Sequence, residues 1–210
     1  MTDDAELPTR AEVVLAGHTG DVATARAGLD ASHPITRSSA LAALVRLDAE
    51  NADDLTAAIA DESPAVRARA ATTLVRSRRD PAVRLELVSR LLDDTDDRVL
   101  EAACFAAGEI TPTEPGVVRL LCTIATSHDD SLCRESAVAA LGSLGAEEGR
   151  AAVLAACDDR ATVRRRAVLA LAVFDGPDVD AALVRLRDDR DVQVRQAAED
   201  LMSIAEGDEF

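Results

Sequence analysis

Lysine, tryptophan and tyrosine are absent from the 210 residues, and the aromatic side chains come down to Phe105, Phe174 and Phe210. A sheet core usually draws on aromatic and β-branched residues, so this scarcity, against a background of Ala, Leu and Val, points to closely packed helices. Also missing is any run of about 20 apolar residues, the length a membrane-crossing helix needs. Residues 1–10 lack the basic and apolar regions of a secretory leader. The expectation is a cytoplasmic protein with no membrane partner. Cys104, Cys122, Cys133 and Cys157 are separated by 18, 11 and 24 residues, which fits neither a CxxC metal pair nor a redox motif. They read as thiols buried as small hydrophobes in a reducing compartment. No metal and no cofactor is expected.

What is present is a folded composition, 48% hydrophobic and 30% charged, with a strong imbalance of sign. The 39 acidic residues, 25 Asp and 14 Glu, face 23 basic residues that are all Arg. Excess aspartate without lysine resembles the proteins of salt-in halophiles such as haloarchaea, which is the expected source; the alternative is ordinary acidity from a high-GC genome, which also replaces Lys by Arg. A net charge of -16 keeps a protein soluble in concentrated salt, where the screening length falls to about 3 Å at 1 M, so self-repulsion costs little.

The chain repeats. Alanine recurs at Ala40, Ala70, Ala103, Ala137, Ala167 and Ala198, at intervals of 30, 33, 34, 30 and 31 residues. Three positions earlier stand Arg37, Arg67, Leu100, Arg134, Arg164 and Arg195; one position earlier again, Thr36, Val66, Val99, Cys133, Val163 and Val194. Four positions after the alanine come Leu44, Leu74, Ala107, Leu141, Leu171 and Met202. The Val, Ala and Leu slots lie at i, i+4 and i+8, one apolar stripe on a helix, and the small middle residue lets a neighbouring helix come close. Asp-rich turns precede these helices and suit their N-termini, as at 61–64, 93–97, 129–130, 158–159 and 188–189, while Pro34 and Pro64 take the early helical position open to proline. Gly142 and Gly145 read as the terminator of a helix. Upstream of each turn lies a second amphipathic segment, at 21–29, 52–59, 81–92, 116–126, 147–157 and 178–187. Each unit is thus a helical hairpin that cannot bury its own apolar face, and neighbours must stack. The expected architecture is all-α, a right-handed α-α superhelix of about six hairpins. It has a capping segment at 1–19, a single solenoid domain at 20–206 and an acidic tail at 207–210.

The pattern Asp-x-x-x-x-Val-Arg-x-x-Ala, with Leu four residues on, resembles the HEAT repeat, and its short form is similar to the HEAT-like repeats first named in phycobilisome lyases. The resemblance implies an Asp/Arg ladder along the repeats. The Asp slot holds Asp61, Asp94, Asp158 and Asp189, so the ladder is expected to involve Asp61, Arg67, Asp158, Arg164, Asp189 and Arg195. Ala31 and His128 in the Asp slot and Leu100 in the Arg slot predict interruptions in repeats one, three and four.

Enzymatic relatives fit less well. Deoxyhypusine hydroxylase holds iron through His-Glu pairs, and none of His18, His33 and His128 is followed by Glu. A tetrapyrrole pocket of the phycobilin-lyase kind wants converging aromatic and polar groups. DNA glycosylases of HEAT-like form need a basic face and aromatics, against a chain of net charge -16 with three Phe. The resemblance therefore implies a monomeric, non-catalytic scaffold for another protein, with no nucleic acid; the alternative is a lyase-like enzyme or enzyme subunit with a site the sequence does not display. In HEAT-like proteins the second helix of each hairpin lines the concave binding surface. On those helices Arg69, Arg76, Phe105, Arg165 and Arg166 form a basic and apolar set in an acidic chain, of the residue types enriched at interfaces.

Overall fold

All six hairpins form in the structure, a computed structural model that describes residues 7–207, with side chains described for 7–204. The chain divides into two compact units, Met1–Ala106 and Ala107–Phe210. The first contains α1 (Arg10–Thr19), α2 (Val22–Ala27) prolonged by a 3-10 turn, α3 (Pro34–Arg46), α4 (Ala52–Ile59), α5 (Pro64–Leu74), α6 (Pro81–Leu91) and most of α7 (Asp97–Glu109). The second contains the end of α7, then α8 (Pro115–Ser127), α9 (Ser131–Leu144), α10 (Arg150–Ala156), α11 (Ala161–Leu171), α12 (Pro177–Leu186) and α13 (Val192–Gly207). The described residues form helices and turns, with no strand. Most of the expected tail, 207–210, lies outside the described residues, as do residues 1–6.

Local chemistry sets the helix starts. Thr9 and Glu12 make a reciprocal capping box on α1, and Asn51 and Asp54 do the same for α4. Proline opens α3, α5, α6, α8 and α12, where its missing N–H costs nothing. The Asp-rich turns divide their work: Asp130 caps α9 through Leu132 N–H and Cys133 N–H, and Asp191 serves Gln193 N–H and Val194 N–H. Asp61 and Asp189 instead fold the turn itself, each accepting the N–H two residues on.

The repeated alanine column is fully buried at all six positions. In the first unit α1 packs on α3, burying Val13 and Ala16; in the second, α11 packs against both α9 and α13. Gly145 ends α9 in the left-handed region at φ 58°, as a terminator should. Gly142 is not part of that terminator. It lies inside α9, where an added Cβ would stand 2.8 Å from Ala170 Cα, so its lack of a side chain sets the approach of α9 to α11.

Candidate interaction surface

The first turn of the second helix carries the ladder arginine in five of the six hairpins, with Leu100 in its place in the third as the sequence predicts, and the geometry repeats. Arg67 donates through Nε and Nη2 to the Asp94 carboxylate at 2.7 and 2.9 Å, while its Nη1 donates to the Asp61 carbonyl at 2.9 Å. Arg164 binds Asp189 at 2.8 and 2.6 Å and the Asp159 carbonyl at 2.7 Å. Each guanidinium therefore holds the backbone of its own turn and the carboxylate of the next hairpin's turn, a planar fork matched to both. Arg37 does this with the Ala31 carbonyl and Asp61, and Arg134 with the His128 carbonyl and Asp159.

This corrects the sequence expectation in three ways. The rung in the fifth repeat is Asp159; Asp158 sits more exposed and meets Arg185 at 2.8 Å. Repeats one and four are not interrupted, because the arginine takes a main-chain carbonyl from its own turn, and Ala31 or His128 offers that as well as Asp does. Asp61 and Arg67 do not pair by side chains: Asp61 is the carboxylate for Arg37. Arg195 keeps the main-chain half of the pattern, donating to the Asp189 carbonyl at 2.7 Å. The charges are tuned accordingly. Hydrogen bonds from Arg67, Arg134 and Arg164 hold the carboxyls of Asp94, Asp159 and Asp189 below the usual aspartate range. At Asp61 burial pushes upward most strongly, but Arg37, the Ser63 N–H and Arg67 together outweigh it and the carboxyl is again lowered.

His33 Nδ1 accepts from Ile35 N–H at the start of α3. Cys104, Cys133 and Cys157 are buried and Cys122 is half-buried. Burial pushes the Cys157 thiol up to about 11, which leaves it a poor nucleophile near neutrality.

The expected binding residues differ in exposure and position. Arg69 on α5 and Arg165 on α11 are exposed, and Phe105 on α7 is 52% exposed. Arg166 is half-buried and lies 3.5 Å from Glu135. Arg76 is exposed but stands in the turn after α5, because that helix ends at Leu74. Sequence reasoning missed Leu169, 49% exposed, and Ile204, 62% exposed. The signal was present: Leu169 follows Ala167 by two residues as Phe105 follows Ala103. In the second unit this face carries two adjoining depressions of about 180 and 440 Å³ that share Arg165, Leu169 and Gln193 as their common wall. The larger extends to Gln196, Asp200 and Ile204 on α13.

A family model for HEAT repeats matches three overlapping stretches, residues 22–108, 52–142 and 118–203. Among solved structures the fold is similar to an engineered protein at a TM-score of 0.61 and 19% identity, covering 87% of this chain and 95% of that one. A second engineered protein gives 0.58 at 20% identity, covering 87% and 97%. A designed armadillo repeat protein gives 0.54 at 16% identity, covering 84% and 96%. At these identities the likeness is one of fold. No curated protein matches the sequence. With six hairpins in a shared register and matches running from residue 22 to residue 203, the chain belongs to the HEAT-repeat family.

Proposed function

We propose that this chain is a non-catalytic scaffold that binds another protein along the exposed face formed by the second helices of its hairpins. One observation carries the reading: the position two residues after the buried alanine, occupied by Ala42, Thr72 and Ala139 in other repeats, presents half-exposed Phe105 in one unit and Leu169 in the other. A large apolar side chain at such a position forfeits burial worth about 1–2 kcal/mol unless a partner covers it. Exposed Arg165, which lines the same depressions as Leu169, and exposed Arg69 on α5 supply a cationic component of the kind enriched at interfaces.

The net charge of -16 supports a protein partner over nucleic acid, whose phosphates would be repelled. The short repeat supports assignment to the phycobilisome-lyase type of HEAT-like repeat, a label for repeat type rather than for activity. We take the protein to act as a monomer in the cytoplasm of a salt-in halophile. The matching measurement is the melting temperature between 0.1 and 2 M KCl, which should rise substantially as carboxylate repulsion is screened. A flat profile overturns the halophile reading.

The scaffold reading is tested by affinity capture at matched high salt with the wild type and with a Phe105→Asp, Leu169→Asp double variant whose thermal stability is unchanged. Partners bound by the wild type and lost from the variant support it. Partners retained by both place the binding elsewhere on the molecule.

A further inference from the structure

The charges around the α11–α13 depressions are unevenly occupied. Glu135 lies against Arg166 at 3.5 Å, Asp191 caps α13, and Asp200 accepts from the Gln196 amide at 2.8 Å. Each wall carboxylate thus already has a partner. Arg165, exposed and shared by both depressions, has no carboxylate partner among the described residues. A guanidinium in this position is a vacant bidentate donor for a planar anion. Beside it runs an apolar strip formed by half-exposed Leu169 and exposed Ile204, bordering the larger depression of about 440 Å³. Gln193, also shared by both, offers an exposed side-chain amide, which can donate to and accept from a peptide backbone.

We infer that the α11–α13 groove reads an extended segment of a partner protein in which an acidic residue adjoins an aliphatic one, the carboxylate seated on Arg165 and the aliphatic side chain laid between Leu169 and Ile204. The inference rests on the scaffold reading and names the chemistry of the partner. Charge complementarity at this point selects the acidic residue: a basic segment would meet the exposed Arg165 with like charge, whereas Glu135 is already paired with Arg166 and Asp191 is engaged at the α13 N-terminus. The volume of the larger depression suits a branched aliphatic side chain together with the backbone that carries it.

The test is an array of short immobilised peptides in a Gly/Ser frame, each displaying one pair of adjacent residue types, probed with the full-length chain at fixed salt. The wild type should retain Asp or Glu next to Leu, Ile or Val above all other pairs. Arg165→Gln should lower retention of those pairs by about tenfold and remove the acidic preference while keeping the aliphatic one. Ile204→Ser should do the reverse. A third variant, Leu169→Asp, separates the two levels of the argument. If the retained peptides are of another composition yet are lost with Leu169→Asp, the face binds protein and the inference about its ligand is overturned. Retention that survives Leu169→Asp, or no retention at all, overturns both.

Discussion

Three consecutive arginines, Arg164, Arg165 and Arg166, occupy three different physical environments on one turn of α11. The Arg164 side chain is 5% exposed and clamps Asp189, itself 10% exposed, through two hydrogen bonds. Arg166 is 42% exposed and reaches Glu135 only at 3.5 Å. Arg165 is exposed and without a carboxylate partner among the described residues. Composition and local sequence are the same for all three, so the difference is purely one of register. A rotation of about 100° per residue takes the guanidinium from the seam between hairpins to solvent. One position binds the fold together, and the next is left for something outside it.

The largest expected effect comes from breaking this contrast at its buried end. Arg164→Gln leaves the Asp189 carboxylate in a poorly solvated seam and should cost about 3 kcal/mol in urea unfolding, the scale for removing one partner of a buried pair. Arg165→Gln, one residue along, should change stability by less than about 0.5 kcal/mol. Equal costs at the two positions would mean that the ladder contributes no more than surface charge. Next in size is overpacking of the alanine column. Ala137 and Ala167 are fully buried, and Ala137→Leu or Ala167→Leu should each cost about 1–3 kcal/mol by the same measurement. Glu148→Gln, on an exposed turn, should be silent.

Acid should narrow the gap between wild type and Arg164→Gln. The carboxyls of Asp94, Asp159 and Asp189 lie below the ordinary aspartate range because arginine hydrogen bonds favour their charged form. A folded value below the unfolded one contributes stability that is complete above about pH 4–5 and is lost as the pH falls through the folded value. Protonation also relieves the repulsion of a chain at -16, so the wild-type profile alone mixes two opposing trends. The difference between wild type and variant isolates the rung. That difference should be constant from pH 7 to pH 5 and shrink below pH 4, as measured by urea unfolding at each pH. A difference that persists undiminished at pH 3 would show that Arg164 stabilises through its stem and its hydrogen bond to the Asp159 carbonyl and not through the Asp189 carboxylate.

The helices were legible from the sequence because periodicity and caps are local: the segment at 52–59 is α4 residue for residue, and the six alanines all reach the core. The ladder was legible as two rows of residues but not as pairs, since each arginine meets a carboxylate 24 to 27 residues away. Spacing alone could not choose between Asp158 and Asp159, because adjacent residues in a turn differ only in the backbone angles that aim them. Gly142 looked like punctuation because its real neighbour, Ala170, belongs to another helix. Leu169 was hidden for the opposite reason: leucine is the commonest core residue of this pattern, so its place two residues after Ala167, the slot that Phe105 takes after Ala103, was the one sign in the sequence that it faces outward. Glu50 had no local signal at all. It is 2% exposed between loops, with Oε1 accepting from Ser77 Oγ at 2.7 Å.

The smallest effect concerns Arg166, the intermediate of the three. Its contact with Glu135 spans adjacent helices, α11 and α9, yet 3.5 Å is longer than a charge-assisted hydrogen bond and the guanidinium end is open to water. A pair of this kind contributes about 0.2–1 kcal/mol at low salt, and screening removes most of that where the Debye length drops to about 3 Å. Arg166→Gln and Glu135→Gln, singly and together, form a double-mutant cycle that isolates the pair from the separate loss of either charge. The coupling should be at most about 0.5 kcal/mol in 0.1 M KCl and should vanish in 2 M KCl, whereas the cost of Arg164→Gln should survive the same change because its seam excludes the screening ions. If the Arg166 coupling proves as large and as salt-resistant as the Arg164 effect, register alone does not sort these arginines, and the face that Arg166 borders is bound into the fold and is not free for a partner.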